Sequence, residues 1–284
     1  HSWVYSLDLQ SLYPSILMGL NISPESKVAY ISNWDMEKHV RKQIPEYVLK
    51  DLAGDENEKM SLADFQSFMK EGEFTISSNG VLYRTDKIGV IPAILSDWFA
   101  TRMEYQRLLK ESKAAGNTEK AEFYDKRQHV QKILLNSIYG TLGLPTFRFY
   151  DIDNAAAVTT SGQDVVKTTS KYVNKMYVKK LNELNADFDK DTDYVIYNDT
   201  DSCYLSTEVF HPYLNIGDDD AALKQFTIDW ATEVETAVNG FYDAMASNLF
   251  FCNKHRFFIK GESVARSAFW LEKKRYAYHK IYDL

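Results

Sequence analysis

Apolar positions along the chain follow two rhythms, and the switches between them mark its elements. Val4-Tyr-Ser-Leu-Asp-Leu alternates as a strand ending in Asp8, and Pro14 is placed as the first residue of a short helix to about Met18. From Ser23 to Gly89 the pattern is mixed. Asp51–Lys59 is a polar loop, Ser61–Met69 a short amphipathic helix, and Glu73–Arg84 a hairpin turning at Asn79-Gly80. Two helices then dominate: Pro92 to about Lys113 and, after a turn with Asn117 as N-cap, a second reaching Tyr139. Their short connection makes them an antiparallel hairpin. A long helix follows from Asn154 to about Asn182. Asp187–Asp193 alternates aspartates like a calcium loop but lacks that loop's glycine and glutamate, so it reads as a solvated connection. A hairpin at Tyr194–Leu205, a helix from Leu223 to about Asn248, and strands at Phe257–Ser263 and Ala268–His279 complete the chain.

The faces of these elements carry the chemistry. On the second helix of the pair Asp125, His129, Lys132, Asn136 and Tyr139 share one side, while Phe123, Val130, Leu134 and Ile138 form an apolar one. Arg102, Gln106, Lys110 and Lys113 align on the first helix. Gly140, directly after Tyr139, suits the close approach of a ligand or another backbone. In the Tyr194–Leu205 hairpin the knot Asn198-Asp-Thr-Asp201 makes the turn, with Asn198 expected to take the positive φ. Asp199 and Asp201 are thereby held together. At ~4 Å and an effective dielectric of ~20, two carboxylates repel by roughly 4 kcal/mol, a cost removed by a divalent cation or by full solvation. Asp8 and the amides after it form a cradle for an anion beside a metal ligand.

Charge is segregated. The net charge is −7, yet residues 84–148 carry +4 and residues 254–280 carry +6, leaving −17 for the remainder. Such patches let an acidic protein bind a phosphate backbone. The basic run Lys273-Lys-Arg275, interleaved with aromatics, is expected on a strand, as edge protection or as a nucleic-acid surface. Cys203 and Cys252 form no zinc or disulfide pattern and are expected in the core. No run is long enough for a membrane span and no signal peptide stands at the start, so a cytoplasmic setting is expected, that of the host cell if the source is viral.

Carboxylates on two strands, a lysine-bearing helix and a basic-aromatic segment together suggest phosphoryl transfer. At these residues the chain resembles the family B DNA polymerases, most of all the replicative enzymes of T-even-like bacteriophages. Asp8-Leu-Gln-Ser-Leu-Tyr-Pro-Ser-Ile16 is similar to motif A, Lys132-Ile-Leu-Leu-Asn-Ser-Ile-Tyr-Gly140 to motif B, and Tyr197-Asn-Asp-Thr-Asp-Ser202 to motif C. Lys273-Lys-Arg-Tyr276 is similar to a further family signature, and Asn21-Ile-Ser-Pro-Glu25 and Thr159-Thr-Ser-Gly-Gln163 match the phage group.

The resemblance implies an α+β fold: a palm whose antiparallel sheet is backed by helices, with a helical-hairpin fingers subdomain. It divides the chain into palm at 1–89, fingers at 90–143 and palm again at 144–284, without the exonuclease and thumb. It implies DNA-templated transfer of dNMP from dNTP to a primer 3′-OH, with two Mg²⁺ ions for which Mn²⁺ can substitute. Asp8, Asp199 and Asp201 would be catalytic, and Asp8, the Leu9 carbonyl, Asp201 and Glu262 would meet the metals. Ser11, Leu12, Tyr13, Arg102, Lys132, Asn136 and Tyr139 would bind the nucleotide, Tyr13 excluding a 2′-hydroxyl. Gly140, Lys273, Lys274, Arg275 and Tyr276 would contact primer-template DNA. Two departures stand out: Asn198 replaces a glycine, and Gln106 replaces a phosphate-binding cation for which Arg107, one residue on, is the candidate substitute. A fragment, or one piece of a split polymerase, is expected, partnered by exonuclease and thumb regions and by a sliding clamp reached through them. The competing expectations are an inactive DNA-binding remnant and a two-metal nuclease or nucleotidyl cyclase on a palm-like fold.

Overall fold

The computed structural model describes residues 1–189 and 191–284; Lys190, in the aspartate-rich loop, lies outside the described residues, as do the side chains of Glu56 and Asn57. In chain order the elements are β1 (Ser2–Leu9), α1 (Leu12–Gly19), β2 (Lys27–Ile31), α2 (Met36–Val40), β3 (Tyr47–Lys50), β4 (Glu56–Met60), α3 (Leu62–Glu71), β5 (Phe74–Ile76) and β6 (Val81–Arg84). They continue with α4 (Val90–Ala114), α5 (Thr118–Leu142), α6 (Ile152–Glu183), β7 (Val195–Asp199), β8 (Ser202–Ser206), α7 (Asp220–Phe250), β9 (Ile259–Glu272) and β10 (Arg275–Asp283). The fold is α+β. Its residues group into two compact units: His1–Gln10, Gln163–Met245 and Phe257–Leu284 make the first, and Ser11–Gly162 with Ala246–Arg256 the second.

The first unit is built on an antiparallel sheet of order β10-β9-β1-β8-β7. β1 is central, which explains why its residues from Trp3 to Leu7 are all buried rather than alternating. Helices cover one face. Tyr177 of α6 donates a hydrogen bond to Tyr5 of β1 (3.0 Å), and Thr169 of α6 bonds Tyr242 of α7 (3.1 Å). Asn239 of α7 clamps Ile259 through both its amide and its carbonyl, at 2.9 Å each. On another part of the sheet Val4, Tyr204, Ala265 and Ala268 pack with Tyr197, Trp270 and Tyr276.

The second unit carries its own antiparallel sheet, of order β4-β3-β2-β6-β5, where the sequence pattern was mixed. The Asn79-Gly80 hairpin forms as expected, with Gly80 at φ 82°. An aromatic core of Tyr47, Phe65 and Trp34 surrounds the buried His39. Burial pushes that imidazole's pKa down, and its Nδ1 lies 2.8 Å from the Tyr47 hydroxyl. α4 and α5 form the expected helical hairpin, and Asn117 caps α5 by accepting from the Lys120 N–H (3.0 Å). Of the apolar stripe expected on α5 only Ile138 is buried. Phe123, Val130 and Leu134 are exposed, and the residues that bury are Ala121, Leu135, Ile138 and Leu142. α5 packs against both α4 and α1, and the periodicity alone could not say which stripe those neighbours would cover.

Candidate active site

Asp8 stands at the end of β1 and faces Ser202 across the ladder with β8. One residue on, the Leu9 N–H donates to the Asp201 carbonyl at 2.8 Å. The strand carrying the first aspartate thus lies beside the ribbon carrying the other two. Asp8 is oriented from both sides, its Oδ1 accepting from Ser202 Oγ and its Oδ2 from Gln10 Nε2, each at 3.0 Å. Burial raises the Cys203 thiol to about 12, and the Asp8 and Asp201 carboxylates push in the same direction.

The turn between β7 and β8 differs from expectation. Asn198 remains in the ladder opposite Cys203, and Asp199 opposite Ser202, so only Thr200 and Asp201 are left to reverse the chain. The positive φ therefore falls on Thr200 (59°), and the Asp201 N–H donates to the Asp199 carbonyl at 2.6 Å. A β-branched residue in a γ-turn of positive φ stores about 1–3 kcal/mol, held here by the ladder on both sides.

The basic run is corrected in part: Lys273 and Lys274 lie in a turn, while Arg275 opens β10. Arg275 pairs with Glu272, leaving Lys273 and Lys274 at the tip of the β9–β10 hairpin with Lys274 at φ 64°. That tip is fastened to β7. The Lys274 N–H donates to the Tyr197 hydroxyl (2.9 Å), and its Nζ lies 3.5 Å from Asp199 Oδ1. Arg275 is ion-paired with Glu272, and the Tyr276 hydroxyl bonds that of Tyr204 at 2.9 Å. Glu262 is the extra residue of a bulge in β9, since Ser6 pairs with Ser263 and Leu7 with Gly261. It lines a cavity of about 370 Å³ with Gln10, Lys260, Tyr278 and Lys280.

In the second unit, helix α1 begins at Leu12, two residues before Pro14, with Ser11 in the left-handed region (φ 52°, ψ 50°). Proline is accommodated there because amides of a helix's first turn have no intrahelical acceptor to lose. Tyr13 is wedged: its ring lies 4.7 Å from that of Tyr139, and a Cβ on Gly162 would come within 3.1 Å of it. Lys132, Asn136 and Gly140 are exposed on α5, and nothing lies within 4 Å of where a Gly140 Cβ would be. Arg102 is half-buried, its Nε has no hydrogen-bond partner, and burial lowers its pKa. Arg107 is instead occupied by its own helix, pairing with Glu104 (2.6 Å) and with Glu111.

Comparison with known proteins decides the family: the profile described as DNA polymerase family B matches residues 1–283. The chain belongs to DNA polymerase family B. Among curated relatives, the DNA-directed DNA polymerase of Escherichia phage RB69 is 24% identical over an alignment covering 100% of this chain and 35% of that protein. That of Enterobacteria phage T4 is 27% identical over 72% of this chain and 25% of its own length. The DNA polymerase beta of African swine fever virus is 30% identical over 74% of this chain and 16% of its own. This family B chain therefore spans about a third or less of these relatives.

Among the described residues no three His, Cys, Asp or Glu side chains gather as a metal-ligating group, and no helix is long and apolar enough to cross a membrane. Family B enzymes generally use divalent ions, and the donor set here fits one. Asp8, Asp201 and nearby carbonyls offer hard oxygens in small number, as suits an ion that keeps water and substrate oxygens in its shell. Ser202 and Gln10 supply the outer hydrogen bonds that orient such a carboxylate. Sequence reasoning missed Gln10, Ser202 and Gly162, since only the strand register and the helix packing show what they touch.

Proposed function

We propose that this chain is the palm-and-fingers catalytic core of a DNA-templated DNA polymerase that transfers dNMP from a dNTP to a primer 3′-OH. The observation carrying this reading is the β1–β8 register that sets Asp8 beside Asp201. Asp8 and Asp201, with the Leu9 carbonyl, would hold a pair of Mg²⁺ ions, with Asp199 in support and Glu262 nearby. When bound, those ions would lower the pKa of the primer hydroxyl and neutralise charge on the leaving pyrophosphate.

The chain's own residues do the positioning. Ser202 and Gln10 fix the Asp8 carboxylate, and the ladder around Thr200 fixes Asp199 and Asp201. The Ser11 and Leu12 amides, Arg102 and Lys132 would take the phosphates of the incoming nucleotide. Arg102 is suited to this, because a half-buried guanidinium with an unpartnered Nε gains most from an anion. Asn136 and Tyr139 would line the nascent base pair, with Tyr13, backed by Gly162, under the sugar. Gly140 and Lys273 to Tyr276 would contact primer-template DNA.

Single-nucleotide primer extension with Mg²⁺ at low salt tests this. Extension that disappears in Asp201→Ala supports it. DNA binding without turnover in either protein would leave a DNA-binding remnant, and primer shortening would indicate a nuclease. Exonuclease and thumb regions on the same or another polypeptide, and a sliding clamp, complete the proposed assembly, in the cytoplasm of the host cell if the source is viral.

A further inference from the structure

The part of α6 within the first unit, Gln163–Glu183, carries five lysines against two acids, although it belongs to the stretches that sum to −17. Lys180 turns to the Trp230 ring (5.7 Å). The other four, Lys167, Lys171, Lys175 and Lys179, recur every fourth residue and are all exposed. At ~1.5 Å rise per residue they form a ridge ~18 Å long with a charge every ~6 Å. Asp164 and Glu183 stand at its two ends, 4.0 and 3.8 Å from Lys167 and Lys179. Among the described residues Lys171 and Lys175 have no ion pair. Asp193, packed against the helix, is occupied, its Oδ1 accepting from Asn174 Nδ2 (2.9 Å) and the Val195 N–H (3.0 Å). Further along, Asp187, Asp189 and Asp191 place negative charge beyond the end of the helix.

We propose that this lysine ridge is a second nucleic-acid surface, one that holds the backbone of duplex DNA without reading its sequence. Regularly spaced, exposed point charges, the central two without an ion pair among the described residues, complement a strand carrying one phosphate per ~3.4 Å. Duplex is favoured over single strand because the aromatic beside Lys171, Tyr172, is not free to stack on a base: it is already stacked on Phe241 at 4.2 Å. The ridge also has a fixed relation to the aspartate hairpin. Ser170, next to Lys171, accepts from Asn198 Nδ2 at 3.3 Å, and Asn198 directly precedes Asp199. The inference rests on charge and exposure, so it survives if the catalytic reading fails.

The test is equilibrium binding of a blunt 20-base-pair duplex in EDTA, followed by fluorescence anisotropy as a function of salt. Each phosphate contact contributes about 0.9 to the slope of log K against log salt. Changing Lys167, Lys171, Lys175 and Lys179 to Gln should lower that slope by about 2 to 4, with Lys171 and Lys175 contributing most and Lys179, beside the aspartate loop, least. The control changes Lys38, Lys42, Lys59 and Lys70 to Gln, the same loss of net charge from exposed positions in the second unit. An equal fall in the control, an unchanged slope in the ridge variant, or an effect confined to single-stranded DNA would each overturn the proposal. The double variant Lys171→Gln/Lys175→Gln should give about half of the full effect and guards against misfolding of the fourfold one.

Discussion

The aspartate ribbon carries the acidic candidates and the α4–α5 hairpin most of the nucleotide-binding ones, and the two are built in opposite ways. On the ribbon the Asp8 and Asp199 side chains are braced, and Asp201 is held through its backbone. Asp8 is held by Ser202 and Gln10, Asp199 by Lys274, and the strained turn at Thr200 by a ladder on either side. On the helices two candidate cations stand unbraced, Lys132 being exposed and Arg102 half-buried without a partner for its Nε, while Arg107 is paired within its own helix. A like-charged cluster must be preformed by the fold, because repulsion would otherwise disperse it. A cation on a solvated helix needs no such frame, since its polyanionic partner brings the order when it binds.

The largest expected effect separates the two regions most sharply. Asp201→Asn should abolish Mg²⁺-dependent extension, by at least about 10³-fold in kcat. In EDTA the same variant should melt no lower than its parent, because one of two neighbouring carboxylates has lost its charge. A lower Tm together with lost activity would make Asp201 a structural residue and break the comparison. Next is Arg102→Ala. Losing a charge-assisted contact to phosphate, at about 1.5–3 kcal/mol, should raise the KM for dNTP by roughly 10- to 150-fold. Stability should not fall, because a half-buried charge without compensation is removed; a marked drop in Tm would show that Arg102 is braced after all.

Ser202→Ala tests the bracing itself. Outer hydrogen-bond partners of metal-binding carboxylates are worth about 10- to 100-fold in metal affinity or activity, so the variant should need more Mg²⁺ for half-maximal extension. Rescue by Ser202→Thr would separate positioning from packing. An unchanged Mg²⁺ titration would mean that the ladder alone orients Asp8.

The same contrast explains what could be read in advance. Asp8 and Asp201 were legible because a strand end and a tight turn are written locally, in Val4–Leu9 and Tyr194–Leu205. The helical hairpin was legible from periodicity and from Asn117. The side of α5 that buries was not, because Phe123, Val130 and Leu134 obey the same period as Leu135, Ile138 and Leu142. Only the neighbouring helices choose between the stripes. The turn at Lys273-Lys274 was hidden for a related reason: the run from Ala268 to His279 reads as one strand until pairing of Arg275 with Glu272 breaks it in two. Thr200 at positive φ contradicts its own propensity and follows from the register on either side. Of the second sheet only the β5–β6 hairpin was legible, and β4 falls largely within Asp51–Lys59, which reads as a polar loop.

The smallest expected effect concerns Arg107, the candidate to replace the cation absent at Gln106. A guanidinium can serve a phosphate only if it is not already committed, and Arg107 is held by Glu104 on one side and Glu111 on the other, at spacings of three and four along the same helix. Exposed pairs of this kind are individually weak, so they would not by themselves forbid a swing toward a triphosphate. The two acids matter more by their charge: any phosphate drawn to Arg107 approaches Glu104 and Glu111 as well, and the attraction is largely cancelled. Arg107→Ala should therefore leave the KM for dNTP within about 2-fold, against the much larger change for Arg102→Ala. Gln106→Lys should lower it, because that position is half-buried on the aligned face with Arg102, where an added cation has no carboxylate of its own. If Arg107→Ala raised KM about as much as Arg102→Ala, the ion pairs would have to open on substrate binding, and the helical hairpin would hold a second phosphate contact that is braced until it is used.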